Sequence, residues 1–389
     1  MTDRSASSSP TLRLATLAIH GGRAHSAPGD AVVQPLVQSV NHVQPVGTAD
    51  GVLYTRYANT PNAQVVQRRI ALLEGAESSL VLSSGMGATS CTMLSLLRPG
   101  DHLVTSNWIY GGTRKLFDQE LPAMGVTVTS VDPSESRGWR RAITKQTRVI
   151  FLESPVNPTT RVLDMRPLTA LAREFGIALV VDATFASPIN FRPLEHGADV
   201  VIHSATKYLN GHHDILAGVV SGAESVVDEV RQKMMVWGQA PDPFALWLLE
   251  RGLKTLDVRV RRQNESAMRV AEWAQSHPGI ARVHYPGLAS HPDHALARET
   301  LDGFGGMLAL ELAAGGDATP RVLSRLQLIT HAPSLGGVDS LVSEPRYTSH
   351  AHMTSHARAA IGIPDGFLRF SIGLEDADDL IADLTHALA

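Results

Sequence analysis

A single cysteine in 389 residues, Cys91, rules out an internal disulfide framework and any site built from several thiolates. It lies in an apolar stretch and is expected to be a small buried packing residue. Basic residues are not in excess. The 34 Lys and Arg against 38 Asp and Glu leave a net charge of −4, and no Lys/Arg run is long enough to track phosphates, so nucleic acid is not an expected partner. No run of about 18 apolar residues occurs, so no transmembrane helix is expected. The Ser-rich segment Met1 to Pro10 should fray, and the apolar patch behind it is short and broken by Arg13, so it fails as a signal-peptide core. The cytoplasm is the expected compartment. Neither the dinucleotide fingerprint G-x-G-x-x-G nor a P-loop fits the glycine spacing, which argues against nicotinamide and nucleoside-triphosphate chemistry.

What is present is an ordinary globular composition, 43% hydrophobic and 19% charged, on a chain long enough for two or more domains. Residues 1–62 are rich in turn formers and read as an arm. From Ala63 the apolar positions Val65, Val66, Ile70, Leu72 and Leu73 recur at helical spacing, and Gly75 caps that helix. Short apolar strands then alternate with helices: Ser79–Leu82, His102–Thr105, Arg148–Leu152, Ile177–Val181 and Asp199–His203. That alternation predicts an α/β fold with a parallel sheet covered on both faces. A long helix is predicted from Pro243 to about Asn264, with Leu246, Leu249, Leu253 and Leu256 on one stripe. The expected division is an arm (1–62), a cofactor-binding domain (63–250) and a C-terminal α+β domain (251–389).

In open parallel sheets, ligand groups gather beyond the carboxyl ends of the strands. Polar residues fall there repeatedly: the Ser83–Gly87 loop, Glu153-Ser-Pro-Val-Asn157, Asp182, and Ser204-Ala-Thr-Lys207. Backbone N–H groups of Gly85 and Met86 at a helix start suit an anion. Lys207, between an apolar strand and a Gly-containing loop, would lose charge on burial and become nucleophilic.

The run Val201-Ile-His-Ser-Ala-Thr-Lys-Tyr-Leu-Asn-Gly-His212 resembles the cofactor-lysine segment of the Cys/Met-metabolism pyridoxal-phosphate enzymes. The resemblance extends from Ile19-His-Gly-Gly22 to Leu368-Arg-Phe-Ser-Ile-Gly-Leu-Glu375. It implies a fold-type-I architecture, with a central, mostly parallel seven-stranded sheet and a smaller C-terminal α+β domain. It also implies the cofactor pyridoxal 5'-phosphate, held covalently by Lys207, with Asp182 on the pyridine nitrogen. Gly85, Met86, Ser204 and Thr206 would hold the phosphate, and Tyr110 would stack on the ring. Tyr54 and Arg56 would reach the phosphate of a neighbouring subunit, so the active form would be a homo-oligomer, a dimer of dimers. Arg369, with Ser334 and Asn157 nearby, would bind the substrate α-carboxylate. No metal is implied, since the adjacent side chains of His212-His213-Asp214 do not converge on one ion.

The pattern departs from the family's in places. Asn59-Thr-Pro61 replaces Asn-Pro-Thr, Ala183 replaces Asn, and His213 stands where Ser is frequent. Gly112 stands where methionine γ-lyases carry a cysteine, Pro333 replaces an acidic residue, and Glu344 and Arg346 interrupt an apolar run. The expected activity is γ-elimination or γ-replacement on a sulfur amino acid, either cystathionine-like or an O-activated homoserine. β-Elimination and a non-catalytic binding role are the alternatives.

Overall fold

The computed structural model describes residues 12–23, 27–48, 50–135, 137–351 and 353–389. The segment expected to fray, Met1 to Pro10, lies outside the described residues. Seven strands form the larger sheet: β1 (Ser78–Leu82), β2 (His102–Ser106), β3 (Thr127–Val131), β4 (Thr147–Glu153), β5 (Ala178–Asp182), β6 (Val200–Ser204) and β7 (Gly218–Gly222). Their order is β1-β7-β6-β5-β4-β2-β3. All neighbours are parallel except β7, which runs antiparallel to both β1 and β6. The expected α/β sheet is therefore observed.

Each strand from β4 to β6 is apolar on both faces and buried along nearly its whole length, as a sheet covered by helices requires. The helix Pro61–Glu74 ends on Gly75 in the left-handed conformation (φ 68°), as its sequence predicts, although Leu72 turns outward. Two strands carry too weak a signal to be read in advance. β3 (Thr-Val-Thr-Ser-Val) is a largely polar edge strand, and β7 begins and ends in glycine. A short helix, Leu14–His20, also interrupts the arm.

The long helix expected from Pro243 to Asn264 is two helices, Pro243–Leu253 and Leu256–Ser276. The leucine stripe is buried as predicted, but the turn between the helices is held by contacts that the stripe does not show. A Cβ on Gly252 would lie 2.3 Å from the Asn210 carbonyl oxygen, and the Arg259 guanidinium donates to the Gly252 carbonyl at 2.8 Å. The second helix leads to a five-stranded sheet, order β10-β11-β12-β9-β8, made of β8 (Ile280–His284), β9 (Met307–Leu312), β10 (Thr330–His331), β11 (Leu341–Ser343) and β12 (Phe367–Ser371). Among the described residues no helix is long and apolar enough to cross a membrane.

Candidate active site

The carboxyl ends of β4, β5 and β6 open into a cavity of about 600 Å³. Gly85, Met86, Tyr110, Asn157, Asp182, Ser204, Thr206, Lys207, Ser334 and Arg369 all line it. Ten of the twelve residues singled out from sequence thus meet in one place, though they span the chain from one sheet to the other.

The helix Gly85–Leu96 takes in the last three residues of the Ser83–Gly87 segment read as a loop, and it is capped by the Ser84 hydroxyl, which accepts from the Gly87 N–H at 2.9 Å. Gly85 and Met86 are then its first two residues, and their N–H groups have no acceptor within the helix. A Cβ on Gly85 would lie 2.8 Å from Cβ of Ser204, so only glycine lets this helix start approach the end of β6. The result is a cradle of backbone amides and the Ser204 and Thr206 hydroxyls, suited to a phosphate. Thr206 is also tied to its own loop, accepting from the Ala217 N–H at 3.1 Å.

Lys207 Nζ donates to Ser334 Oγ at 2.7 Å. Burial pushes its amine down to about 8, helped by the nearby Arg369 charge. Asp182 is held by Thr184, whose N–H and hydroxyl both donate to Oδ1, at 2.9 and 2.6 Å. Burial pushes its carboxyl above the usual carboxylate range. Arg369 is buried, donating to Asn157 Oδ1 at 2.9 Å and to the Ser334 carbonyl at 3.1 Å. Ser334 adopts φ 94°, a conformation rarely taken by residues with a side chain. Its carbonyl meets Arg369 while its hydroxyl meets Lys207.

In sequence Glu153 is only part of a polar strand end, yet it organises the site. Its Oε2 accepts from the Tyr110 N–H at 2.8 Å and its Oε1 from the Asn157 N–H at 2.7 Å. It lies opposite Asp182 in the β4–β5 register, and burial followed by that neighbouring charge pushes its carboxyl up to about 8. Tyr110 remains 45% exposed, its ring on the cavity wall.

Tyr54 and Arg56 do not reach this cavity in their own chain. Arg56 Nη1 donates to the Met235 carbonyl at 3.2 Å, and its guanidinium lies 5.6 and 5.5 Å from the Tyr54 and Tyr57 ring centroids. His213 packs on the backbone of Gly337, where a Cβ would come within 1.9 Å of its Nε2.

A nucleophilic amine, an anion cradle, a buried carboxylate and a flat exposed ring in one cavity fit a phosphorylated pyridine aldehyde. The buried guanidinium beside them fits an amino acid's carboxylate. Comparison with known proteins agrees. Cys/Met metabolism PLP-dependent enzymes match residues 15–389. The L-methionine gamma-lyase of Pseudomonas putida is 41% identical, over 96% of both chains. The cystathionine beta-lyase of Coxiella burnetii is 40% identical, over 96% of this chain and 97% of its own. The crystal structure of cystathionine gamma synthase from Xanthomonas oryzae pv. oryzae superposes with a TM-score of 0.92 at 37% identity, covering 97% of this chain and 98% of that one. With a match that begins at residue 15 and runs to the last residue, the chain belongs to the Cys/Met metabolism PLP-dependent enzymes, and pyridoxal phosphate is its cofactor.

Proposed function

We propose that this enzyme carries out γ-elimination or γ-replacement on an amino acid whose γ-substituent ends in a carboxylate with no ammonium beside it, as in a dicarboxylic ester of homoserine. One observation carries the reading: Lys207 and Arg369 share the cavity with a third cation, Lys115, while among the described residues its only acidic lining is the deep pair Glu153 and Asp182. A distal carboxylate therefore meets a cation. A distal ammonium finds no acid among the described lining residues, and Pro333 occupies the wall where one would serve.

In this reading Gly85, Met86, Ser204 and Thr206 hold the cofactor phosphate, Asp182 faces its ring nitrogen, and Tyr110 covers the ring. Bound there, pyridoxal phosphate supplies an electron sink for negative charge at the substrate Cα. Arg369 grips the α-carboxylate, with Asn157 and Ser334 fixing the guanidinium, and this orients the Cα–H bond. Lys207 Nζ, with its depressed pKa, takes the Cα proton and carries a second one from Cβ. The leaving group then departs from Cγ.

The active form is a homo-oligomer, a dimer of dimers in which Tyr54 and Arg56 complete a neighbour's phosphate site. Their position outside their own cavity supports this. So does the arm, where Val32, Val43 and Val46 expose nearly their whole side chains, an apolar surface of the kind a second copy covers. Light scattering should give four times the subunit mass.

Product analysis on cystathionine and homoserine esters tests the activity. Release of 2-oxobutyrate marks γ-elimination, and a new thioether formed with added thiol marks replacement. Pyruvate alone would move the enzyme to β-elimination. A purified protein that stays colourless after addition of pyridoxal phosphate would point to a binding role instead.

A further inference from the structure

Glu344 and Arg346, which break the apolar run expected in this region, take no part in the chemistry described above, yet they lie in the loop that leads into the wall of the cavity. Glu344 is only 6% exposed. Its Oε2 accepts from Arg346 Nε at 2.9 Å and from the hydroxyl of Thr319 at 2.8 Å, and it pairs with the Arg346 charge, with Nη2 at 2.8 Å. Arg346 Nη2 in turn donates to the Thr319 hydroxyl at 2.6 Å, and the guanidinium lies 4.6 Å from the centroid of the Tyr347 ring. Thr319 is fully buried and opens the helix Thr319–Arg325. Three side chains, two from one loop and one from a separate helix, thus close a hydrogen-bonded ring away from bulk water.

The loop they tie down has a defined start and end. Glu344 follows Ser343, which lies opposite Arg369 in the β11–β12 register. The Glu344 carbonyl accepts from the Tyr347 N–H at 3.0 Å and from the Thr348 hydroxyl at 2.9 Å, and the Pro345 carbonyl accepts from the His350 N–H at 2.9 Å. Thr348 and Ser349 then line the cavity. The Ser349 carbonyl presses so closely on Gly111 that a Cβ there would lie 2.5 Å from it. Gly111 starts the short helix that ends on Lys115. A single loop therefore connects the strand beside Arg369 to the segment carrying Lys115.

We infer that Glu344, Arg346 and Thr319 form a latch that fixes the Thr348–Ser349 wall and so sets the length of γ-substituent this enzyme accepts. These are positioning residues, since none of the three lines the cavity. A buried ion pair is a poor source of net stability but an effective means of selecting one arrangement. With the latch closed, the wall stands ready at the distal end of a long substituent. With it open, a long substrate must order the loop on binding, whereas a short one never reaches it. This inference rests on the proposed γ-chemistry, because it concerns the part of the cavity a γ-substituent would fill.

The test uses the holoenzyme and the double variant Glu344→Leu/Arg346→Met, which removes the pair without leaving a lone buried charge. Thr319→Val is the milder variant, opening the ring while keeping the ion pair, and it carries the test should the double variant fail to fold. In either, amide exchange at Tyr347 and His350 should quicken, at least tenfold in the double variant and threefold in Thr319→Val. In the double variant KM for O-succinylhomoserine should rise at least fivefold, while KM for the shorter O-acetylhomoserine stays within twofold and kcat for both within threefold. In Thr319→Val the succinyl KM should rise at least twofold against an unchanged acetyl KM. Cofactor absorbance should not move. Unchanged amide protection, or parallel changes in KM for the two esters, would overturn the latch. If the wild-type enzyme turns over neither ester, the proposed chemistry fails, while the exchange measurement still reports whether the ring holds the loop.

Discussion

The depressed pKa of Lys207 makes a quantitative prediction. An ordinary lysine amine, near 10.4, is uncharged in roughly one molecule in a few thousand at pH 7. Burial in the cavity, with the Arg369 charge as a smaller contribution, brings Lys207 down to about 8. At pH 7 that leaves about one molecule in ten with a free electron pair, a gain of roughly 200-fold in nucleophilic amine. Only the neutral form attacks an aldehyde, so the direction follows: the rate should climb with pH below the pKa and level off above it. Cofactor-stripped protein mixed with pyridoxal phosphate in a stopped-flow spectrometer should colour about tenfold faster for each pH unit between 6 and 7.5. The rate should flatten above about 8.

A simple alkylamine run in parallel removes the cofactor's own titration from the comparison. Because burial is the larger cause, Arg369→Leu should move the break upward by no more than about one unit. A rate that keeps climbing to pH 10 in the wild type would refute the assignment of the depressed amine to this position. A break near 10 in Arg369→Leu would instead show that charge, not burial, sets it.

Lys207→Ala should abolish turnover while leaving the far-ultraviolet circular dichroism spectrum unchanged; residual activity at the wild-type level would remove Lys207 from the chemistry. Arg369→Leu removes a charge-assisted contact worth about 2–3 kcal/mol and should raise KM for α-amino acid substrates roughly 30- to 150-fold, measured by initial rates. Arg56→Ala should weaken cofactor retention at least tenfold, by equilibrium dialysis, without changing the particle mass; unaltered retention would separate Arg56 from the phosphate. Arg69 is fully buried, bonded to the Gly21 carbonyl at 2.9 Å and paired with Glu250 at 3.0 Å, so it ties the arm to the larger sheet's helices. Arg69→Ala should cost about 3–5 kcal/mol, the usual figure for stranding a buried charge, softened towards the lower end because Lys254 also reaches Glu250 at 3.2 Å; denaturant titration at fixed protein concentration reads it.

The strands from β4 to β6 were legible because burial on both faces demands continuous apolar runs, and such runs contrast with the polar residues that follow them. β3 and β7 were not, because edge position and glycine-rich composition erase that contrast. The break at Lys254 and Thr255 was illegible for a different reason. The leucine stripe continues through it, and the turn packs against the Asn210 carbonyl, which no local window contains, and is bonded by the Arg259 side chain. Among site residues, those carrying distinctive chemistry (Lys207, Asp182, Arg369) stood out in their motifs. The Arg369 contact with Asn157, made across 212 residues of sequence, could be expected only from the family resemblance. Glu344 and Arg346 stand out in sequence merely as departures, since a ring closed by Thr319 depends on where the earlier helix Thr319–Arg325 begins.

Glu153 and Asp182 show most clearly what sequence alone withholds. Both are carboxylates at the ends of adjacent parallel strands, facing one another in register, and burial raises both. Nothing in either segment says which acid serves a ligand. Hydrogen bonding separates them. Both oxygens of Glu153 are taken by backbone donors, Tyr110 N–H and Asn157 N–H, so this carboxylate fixes the positions of two neighbours and through Asn157 orients Arg369. In Asp182 the Thr184 donors converge on Oδ1 alone, and the residue faces the cavity. A carboxylate with one oxygen anchored can hold its direction while its second oxygen meets a protonated ring nitrogen; a carboxylate with both oxygens anchored cannot turn to do so. The two acids thereby differ: Glu153 has both oxygens committed to the protein, whereas these donors occupy only one oxygen of Asp182. That division depends on which backbone N–H groups the folded loops after β2 and β4 deliver, not on the acids themselves.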